Sequence, residues 1–184
     1  MVGFRYTREV TFDENELKKA LEHLAFDVHH FRCYASLHRG AGLRACSATV
    51  AQAVRYSLLL HFRLLLHFFY GDPRQDDCSL KHFRELPGFQ GAFSREAAPE
   101  GVTAVRADLN KRLAHLTATR WRKKPPPMDY YDKYFDHIGR LIVTFQAALP
   151  DAMRWAFTNE VSKWQRRHPE TLRTPRPTSC SRTQ

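Results

Sequence analysis

Residues 56–70 read YSLLLHFRLLLHFFY, the most apolar stretch of the chain and the one that decides its fold. Apolar side chains at most positions predict a helix that is buried on most sides, as in the core of an all-helical protein. Arg63 and two histidines interrupt the stretch, and it is shorter than the roughly 20 residues of a membrane-spanning helix. We therefore predict a central, most buried helix from about Ser47 to about Tyr70.

The composition is that of a folded, basic domain. The chain has 184 residues, of which 43% are hydrophobic and 12% aromatic, enough for a core, which excludes a wholly disordered or fibrous protein. Only eight glycines and few alternating runs of Val, Ile or Thr argue against a sheet-rich fold. The 29 Lys and Arg residues exceed the 19 Asp and Glu residues, and this net charge of +10 favours an anionic partner.

Helical periodicity predicts further long helices before and after the central one in the sequence. Asp13 and Glu16 have the spacing of a capping box and start a first helix that runs to about His38. The loop over residues 71–101 is long and is expected to contain one or two short helical turns. The remaining predicted helices cover residues 102–119, 128–148 and 150–167.

These elements predict the fold class and the domain organisation. Long antiparallel helices pack as an all-α, up-and-down bundle, here of four long helices plus a fifth C-terminal helix. Residues 1–168 are expected to form this single domain. Residues 169–184 lack apolar periodicity and are expected to be a basic disordered tail.

The sequence carries no targeting signal that we detect and only a weak metal-binding pattern. The N-terminal MVGFRYTREVTF has charges where a secretion signal needs an apolar stretch, and the four cysteines are scattered. We therefore expect a cytoplasmic protein with reduced thiols and no membrane partner. His23, Asp27 and His30 share one helix face, but such sets are common on solvated faces, so we expect no metal and no cofactor.

The sharpest local pattern for chemistry is the segment LNKRLAH, residues 109–115. His115 follows Lys111 by four residues and Arg112 by three, so one helix face would present an imidazole and two cations together. This set fits a bound phosphate, with His115 as a proton-transfer group near neutral pH. The alternative is a partly buried histidine that is hydrogen-bonded across the bundle, among ordinary surface cations.

A second basic cluster follows this segment. Its cations flank an indole, Trp121, and this combination suits single-stranded nucleic acid, whose backbone is attracted to cations and whose bases stack on aromatic rings. The alternative is that Trp121 packs against the bundle. The candidate nucleic-acid-binding residues of both clusters are Lys111, Arg112, Arg120, Arg122, Lys123 and Lys124.

The segment LNKRLAHLT resembles the signature of HEPN-like helical domains, in which a late helix carries an arginine, a polar residue and a histidine. The upstream helix, with Leu58–His61, Arg63 and Phe68–Phe69, and the acidic pair Asp76–Asp77 are also similar to an uncharacterised bacterial family with an NKxxAHLT-type motif. The resemblance covers residues 53–120.

This resemblance implies a function as well as a fold. It implies a helical bundle, often dimeric, that acts as a metal-independent ribonuclease in toxin or phage-defence systems. Catalytic roles carry over to His115 and Asn110, with RNA as substrate. The implied protein partners are a second copy of the chain or a cognate antitoxin.

The chain departs from the family pattern at Leu109, which stands where an arginine is expected. Arg63 is a candidate supporting residue: it either replaces that arginine beside His115 or forms a structural ion pair with Asp76, Asp77 or the acidic face of the fourth helix. A non-catalytic dimeric interaction module is the main alternative function. A third is a small-ligand-binding bundle, which needs a deep apolar pocket near residues Phe62, Phe69 and Phe135.

Overall fold

A computed structural model describes residues 11–71, 77–89, 93, 97–114 and 126–167. Every regular element within these ranges is helical and none is a strand, which confirms the predicted all-α fold class. No helix among these residues combines the length and the apolar content needed to cross a membrane. The predicted basic tail, residues 169–184, lies outside the described residues.

The described residues form six α-helices joined by short helical turns. A 3-10 turn, Ala41–Ala45, links the first two α-helices, and another, Met128–Tyr131, leads directly into the fifth. A π-helical turn, Asn110–Ala114, continues the fourth. The α-helices are α1 (Glu14–Arg39), α2 (Ala48–Tyr70), α3 (Leu80–Arg84), α4 (Val102–Leu109), α5 (Asp132–Ala148) and α6 (Asp151–Arg167).

The predicted helix boundaries at α1 and α2 are confirmed by their caps. Asp13 accepts a hydrogen bond from the backbone N–H of Glu16 at 2.8 Å, and the Glu16 carboxylate accepts one from the backbone N–H of Asp13 at 2.8 Å. Ser47 caps α2 through its hydroxyl oxygen, which accepts from the N–H of Val50 at 3.3 Å. These bonds satisfy backbone donors that a helix start otherwise leaves unpaired.

The later helices also follow the prediction, with local differences. The stretch predicted as one helix from residue 128 begins as a 3-10 turn and becomes α-helical at Asp132. The helix predicted from residue 102 is described only as far as Ala114. Gly101 permits its start, since its φ is +85° and a Cβ there would lie 2.9 Å from the Tyr134 hydroxyl.

The core lies where α2 meets α1, α4 and α5. Its aromatic centre is Phe145 of α5, whose ring contacts the rings of Phe68, Phe83 and Phe157 at centroid distances of 5.3–6.1 Å. Edge-to-face packing of such rings adds to the free energy gained by burying their area. The largest buried side chains elsewhere in the core include Phe62, Tyr131, Tyr134, Leu17, Leu21, Leu58, Leu65 and Leu66.

α2 is buried on its core-facing sides, as predicted, but one of its apolar faces is exposed. Four large apolar side chains of α2 remain 37–49% exposed in the single chain. Helical spacing places them within about one third of the helix circumference, opposite the core-facing residues. We call this face the α2 stripe: it consists of Val50, Tyr56, Leu60 and Leu64.

Candidate functional site

Arg63 and Asn110 meet between α2 and the C-terminal end of α4. The Nε–H of Arg63 donates to Oδ1 of Asn110 at 2.5 Å, and both side chains are partly buried. The predicted ion pair of Arg63 is not present among the described residues. Asp77 instead lies 3.1 Å from Nε2 of His67, and Asp76 lies outside the described residues. A guanidinium held by a neutral amide keeps its full positive charge and its remaining N–H donors.

Leu109 has a physical reason to be apolar. Its side chain is fully buried and belongs to the core that α4 shares with α2. An arginine at this position would place an unpaired charge in that core, at a cost of several kcal/mol. The guanidinium that reaches this part of α4 comes from Arg63 on the neighbouring helix.

The two described cations of the LNKRLAH segment have different environments. Lys111 is exposed. Arg112 is only 12% exposed in its side chain, and its Nε donates to Oδ2 of Asp108 at 2.6 Å. Arg112 is therefore partly neutralised within its own helix, one turn from its partner.

Several predicted site residues cannot be placed. His115, the candidate proton-transfer group, lies one residue beyond the π-helical turn and outside the described residues. The same holds for the basic cluster Arg120, Arg122, Lys123 and Lys124. Of the predicted catalytic residues, the structure therefore places only Asn110, and it brings Asn110 together with the supporting residue Arg63.

An open pocket of about 470 Å³ lies between α2, the end of α4 and the residues that precede α5, and neither Arg63 nor Asn110 is among the described residues that line it. Leu59 and Leu113 form apolar walls, and Arg55 and Arg112 also line it. Burial, with help from Asp108, raises the pKa of the Tyr131 phenol in its wall to about 12, so this group is neutral at pH 7. The pocket combines an apolar interior with cations, as ligand sites often do.

The deep apolar pocket that a small-ligand-binding bundle needs was expected elsewhere, near Phe62, Phe69 and Phe135. Phe62 is fully buried and packs edge to face on Phe135, with ring centroids 4.8 Å apart. Phe69 is also buried, and its ring contacts Phe145. These rings fill the core.

The structure also contains a histidine cluster that sequence analysis missed. Nδ1 of His61 lies 2.8 Å from Oδ1 of Asp27, across the contact between α1 and α2. His30 stacks on His61 with ring centroids 5.1 Å apart, and its Nδ1 bonds to the backbone carbonyl of Phe26. The sequence places Asp27 and His61 on different helices, 34 residues apart, and carries no local signal for this contact.

The metal-binding pattern on α1 is not assembled into a site. Asp27 is directed to His61, and His23 is exposed. Among the described residues, no group of three or more His, Cys, Asp or Glu side chains is arranged to hold a metal ion.

No protein-family model, no curated protein and no solved structure matches this chain.

Proposed function

We propose that this chain is a HEPN-like helical protein that binds RNA or another anionic partner, and that it is a metal-independent ribonuclease of a toxin or defence system. The observation that carries the proposal is the hydrogen bond from Arg63 to Asn110. Through this hydrogen bond an arginine lies next to the motif, although Leu109 stands at the position where the motif itself would carry one. We also propose that the fold is an up-and-down bundle of four long helices plus a fifth, and that two copies of the chain form a dimer.

The chemistry we propose is transfer of the phosphoryl group within the RNA strand. The ribose 2′-oxygen attacks the adjacent phosphorus while the bond to the 5′-oxygen breaks, which gives a 2′,3′-cyclic phosphate and a 5′-hydroxyl end. His115 moves the proton, as the base for the 2′-hydroxyl or the acid for the leaving oxygen. Asn110 orients the phosphate, and Arg63 stabilises the negative charge that develops on its oxygens.

Basic side chains provide the affinity for RNA in this proposal. Lys111 is exposed and directly follows Asn110 in the chain, and we assign it a contact with a backbone phosphate. Arg112 contributes less charge, because Asp108 holds its guanidinium. We assign the remaining phosphate contacts to Arg120, Arg122, Lys123 and Lys124.

The test is cleavage of a labelled single-stranded RNA by wild type, His115→Ala and His23→Ala in the presence of EDTA. We expect cleavage by wild type, a loss of at least about 100-fold in His115→Ala because general acid–base groups contribute that much, and no change in His23→Ala, whose imidazole is exposed on α1. Expression of wild type and of His23→Ala should inhibit growth of the host cells, whereas expression of His115→Ala should not. If wild type neither cuts RNA nor slows growth, the ribonuclease function is wrong.

A second candidate function, a non-catalytic dimeric interaction module, is favoured by the α2 stripe. Its four large apolar side chains are exposed in the single chain, and contiguous exposed apolar surface marks protein–protein contact. The natural occupant is a second copy of the chain, since two copies of an apolar helix face can pack about a twofold axis.

Light scattering after size-exclusion chromatography tests this candidate. We expect a wild-type dimer and a monomeric Leu60→Ser/Leu64→Ser variant. Val143→Ser is the matched control, because Val143 is an apolar residue that is 59% exposed on α5, outside the stripe, so the dimer should persist. A wild-type monomer at high micromolar concentration would rule out this candidate.

A further inference from the structure

A small basic pocket opens where the end of α1 meets the Ala41–Ala45 turn and the first half of α2. Its volume is about 270 Å³, and Arg39, Arg44 and Arg55 line it together with His38. Arg39 is neutralised, because its guanidinium lies 2.7 Å from Asp136. Arg44 and Arg55 are exposed, and neither forms an ion pair with any described residue, so this pocket has two lining arginines without a carboxylate partner there.

His38 also lines this pocket. Burial, together with the neighbouring Arg55 and Arg39, lowers the pKa of His38, while Asp132 acts in the opposite direction. Its Nδ1 is buried and has no hydrogen-bond partner within the described part of the chain, so this nitrogen lies behind the pocket surface and the positive charge of the pocket comes from the arginines.

The basic pocket adjoins the 470 Å³ apolar pocket. Arg55 lines both, so its side chain forms the shared wall. Two consecutive residues also connect the pockets. Tyr131 lines the apolar pocket, and the next residue, Asp132, lies 3.8 Å from Arg39, which lines the basic pocket. A ligand that spans the two pockets would meet positive charge at one end and apolar walls at the other.

We propose that these two pockets form one binding site for a phosphate monoester that carries an aromatic ring, such as a nucleoside 5′-monophosphate. The phosphate binds between Arg44 and Arg55, whose guanidinium N–H groups match its oxygens. The ring binds against Leu59, Leu113 and Met128 in the larger pocket, whose volume is typical of small-ligand sites. This site is separate from RNA cleavage, because it requires neither His115 nor Asn110.

Calorimetric titration of the full chain with adenosine 5′-monophosphate, adenosine and inorganic phosphate tests the site. We expect the monophosphate to bind with one molecule per chain, and each of the two fragments to bind at least about tenfold more weakly, since each fills only one pocket. Arg55→Ala should weaken binding of the monophosphate by about tenfold or more. Arg84→Ala is the matched control: Arg84 is an exposed arginine of α3, near the C-terminal end of α2 and away from both pockets, and binding should not change.

Two results would overturn the proposal. One is a monophosphate that binds no better than adenosine, which would leave the arginines without a role. The other is an equal loss in Arg55→Ala and Arg84→Ala, which would indicate general charge attraction. Circular dichroism confirms that both variants fold, as expected for exposed side chains.

The same phosphate monoester exists as a free molecule and at the 5′ end of an RNA strand. Titration with a short RNA that carries either a 5′-phosphate or a 5′-hydroxyl separates these sources. Two affinity ratios are compared: 5′-phosphate RNA over 5′-hydroxyl RNA, and adenosine 5′-monophosphate over adenosine. If the RNA ratio is the larger, the ligand is the strand end. If it is equal or smaller, the ligand is the free ester. These measurements report binding alone, so their failure differs from a failure of the proposed ribonuclease.

Discussion

Arg63 keeps a positive charge in an apolar helix, and its partner among the described residues is an amide, not a carboxylate. Its neighbours on α2, Phe62 and Leu66, are fully buried, yet its own side chain is only partly buried and ends at the Asn110 amide. A neutral partner leaves the charge available to an anion, whereas a carboxylate would cancel it. The contrast with Arg112, which Asp108 holds, makes Arg63 the better candidate for charge stabilisation at this site.

His38 makes the stability of the protein depend on pH. The unfolded chain binds a proton at this residue near the ordinary pKa of 6.5, whereas burial lowers the pKa in the folded state. The unfolded state therefore binds more protons below about pH 6.5, and the folded state loses stability as pH falls from there towards the lowered pKa.

We expect His38→Gln to lose less stability than wild type between pH 7.5 and pH 5.5, measured by urea unfolding at both values. His23→Gln is the control, because it removes an exposed imidazole from the same helix. An identical pH dependence in wild type and His38→Gln would show that His38 does not contribute to this effect.

At the scale of single elements, the capping box decides where α1 begins. Asp13→Ala removes the acceptor for the Glu16 N–H and should lower the free energy of unfolding by about 1 kcal/mol, which corresponds to about 2–4 °C in Tm for a chain of this size. Thermal unfolding followed by circular dichroism measures the shift.

Asp151→Ala provides the comparison. Asp151 also stands in the first turn of a helix, α6, but it is 96% exposed and makes only a surface ion pair with Arg154. Its loss should cost less than about 0.5 kcal/mol. Equal shifts for the two variants would show that the hydrogen bonds of the capping box add nothing to α1.

The helix ends could be predicted because their determinants are local. Asp13, Ser47 and Gly40 act on backbone groups within a few residues, so the printed sequence contains the whole interaction. The π-helical turn Asn110–Ala114 and the 3-10 turn Met128–Tyr131 were not predicted. They are small changes in helical winding, which packing against neighbouring helices decides and which apolar periodicity does not record.

At the scale of the whole molecule, the all-α class could be predicted and the assembly of the candidate site only in part. Apolar periodicity identifies the face that each helix buries, but it leaves the rotation and register of one helix on another undetermined. Arg63 and Asn110 were both named as candidates, yet their direct contact depends on how α2 packs against α4. The contact between Asp27 and His61 was missed for the same reason.

The exposed face of α2 is a further property of the assembled molecule. A nearly continuous apolar run does not show which of its residues the other helices will cover. The structure covers Leu58, Phe62 and Leu65 fully and leaves the α2 stripe exposed. The apolar run thus contains two surfaces, one for the core and one that the single chain does not bury.

Phe145 has a consequence for how the protein loses its structure. Its ring contacts side chains from α2, α3 and α6 and also the rings of Phe89 and Phe93, which lie between α3 and α4 in the sequence. Phe93 is only 4% exposed, so its ring cannot leave its position without uncovering the centre of the bundle. The contact between Phe93 and Phe145 should therefore be lost in the same cooperative step as the helices, which makes Phe93 as well protected as the core itself.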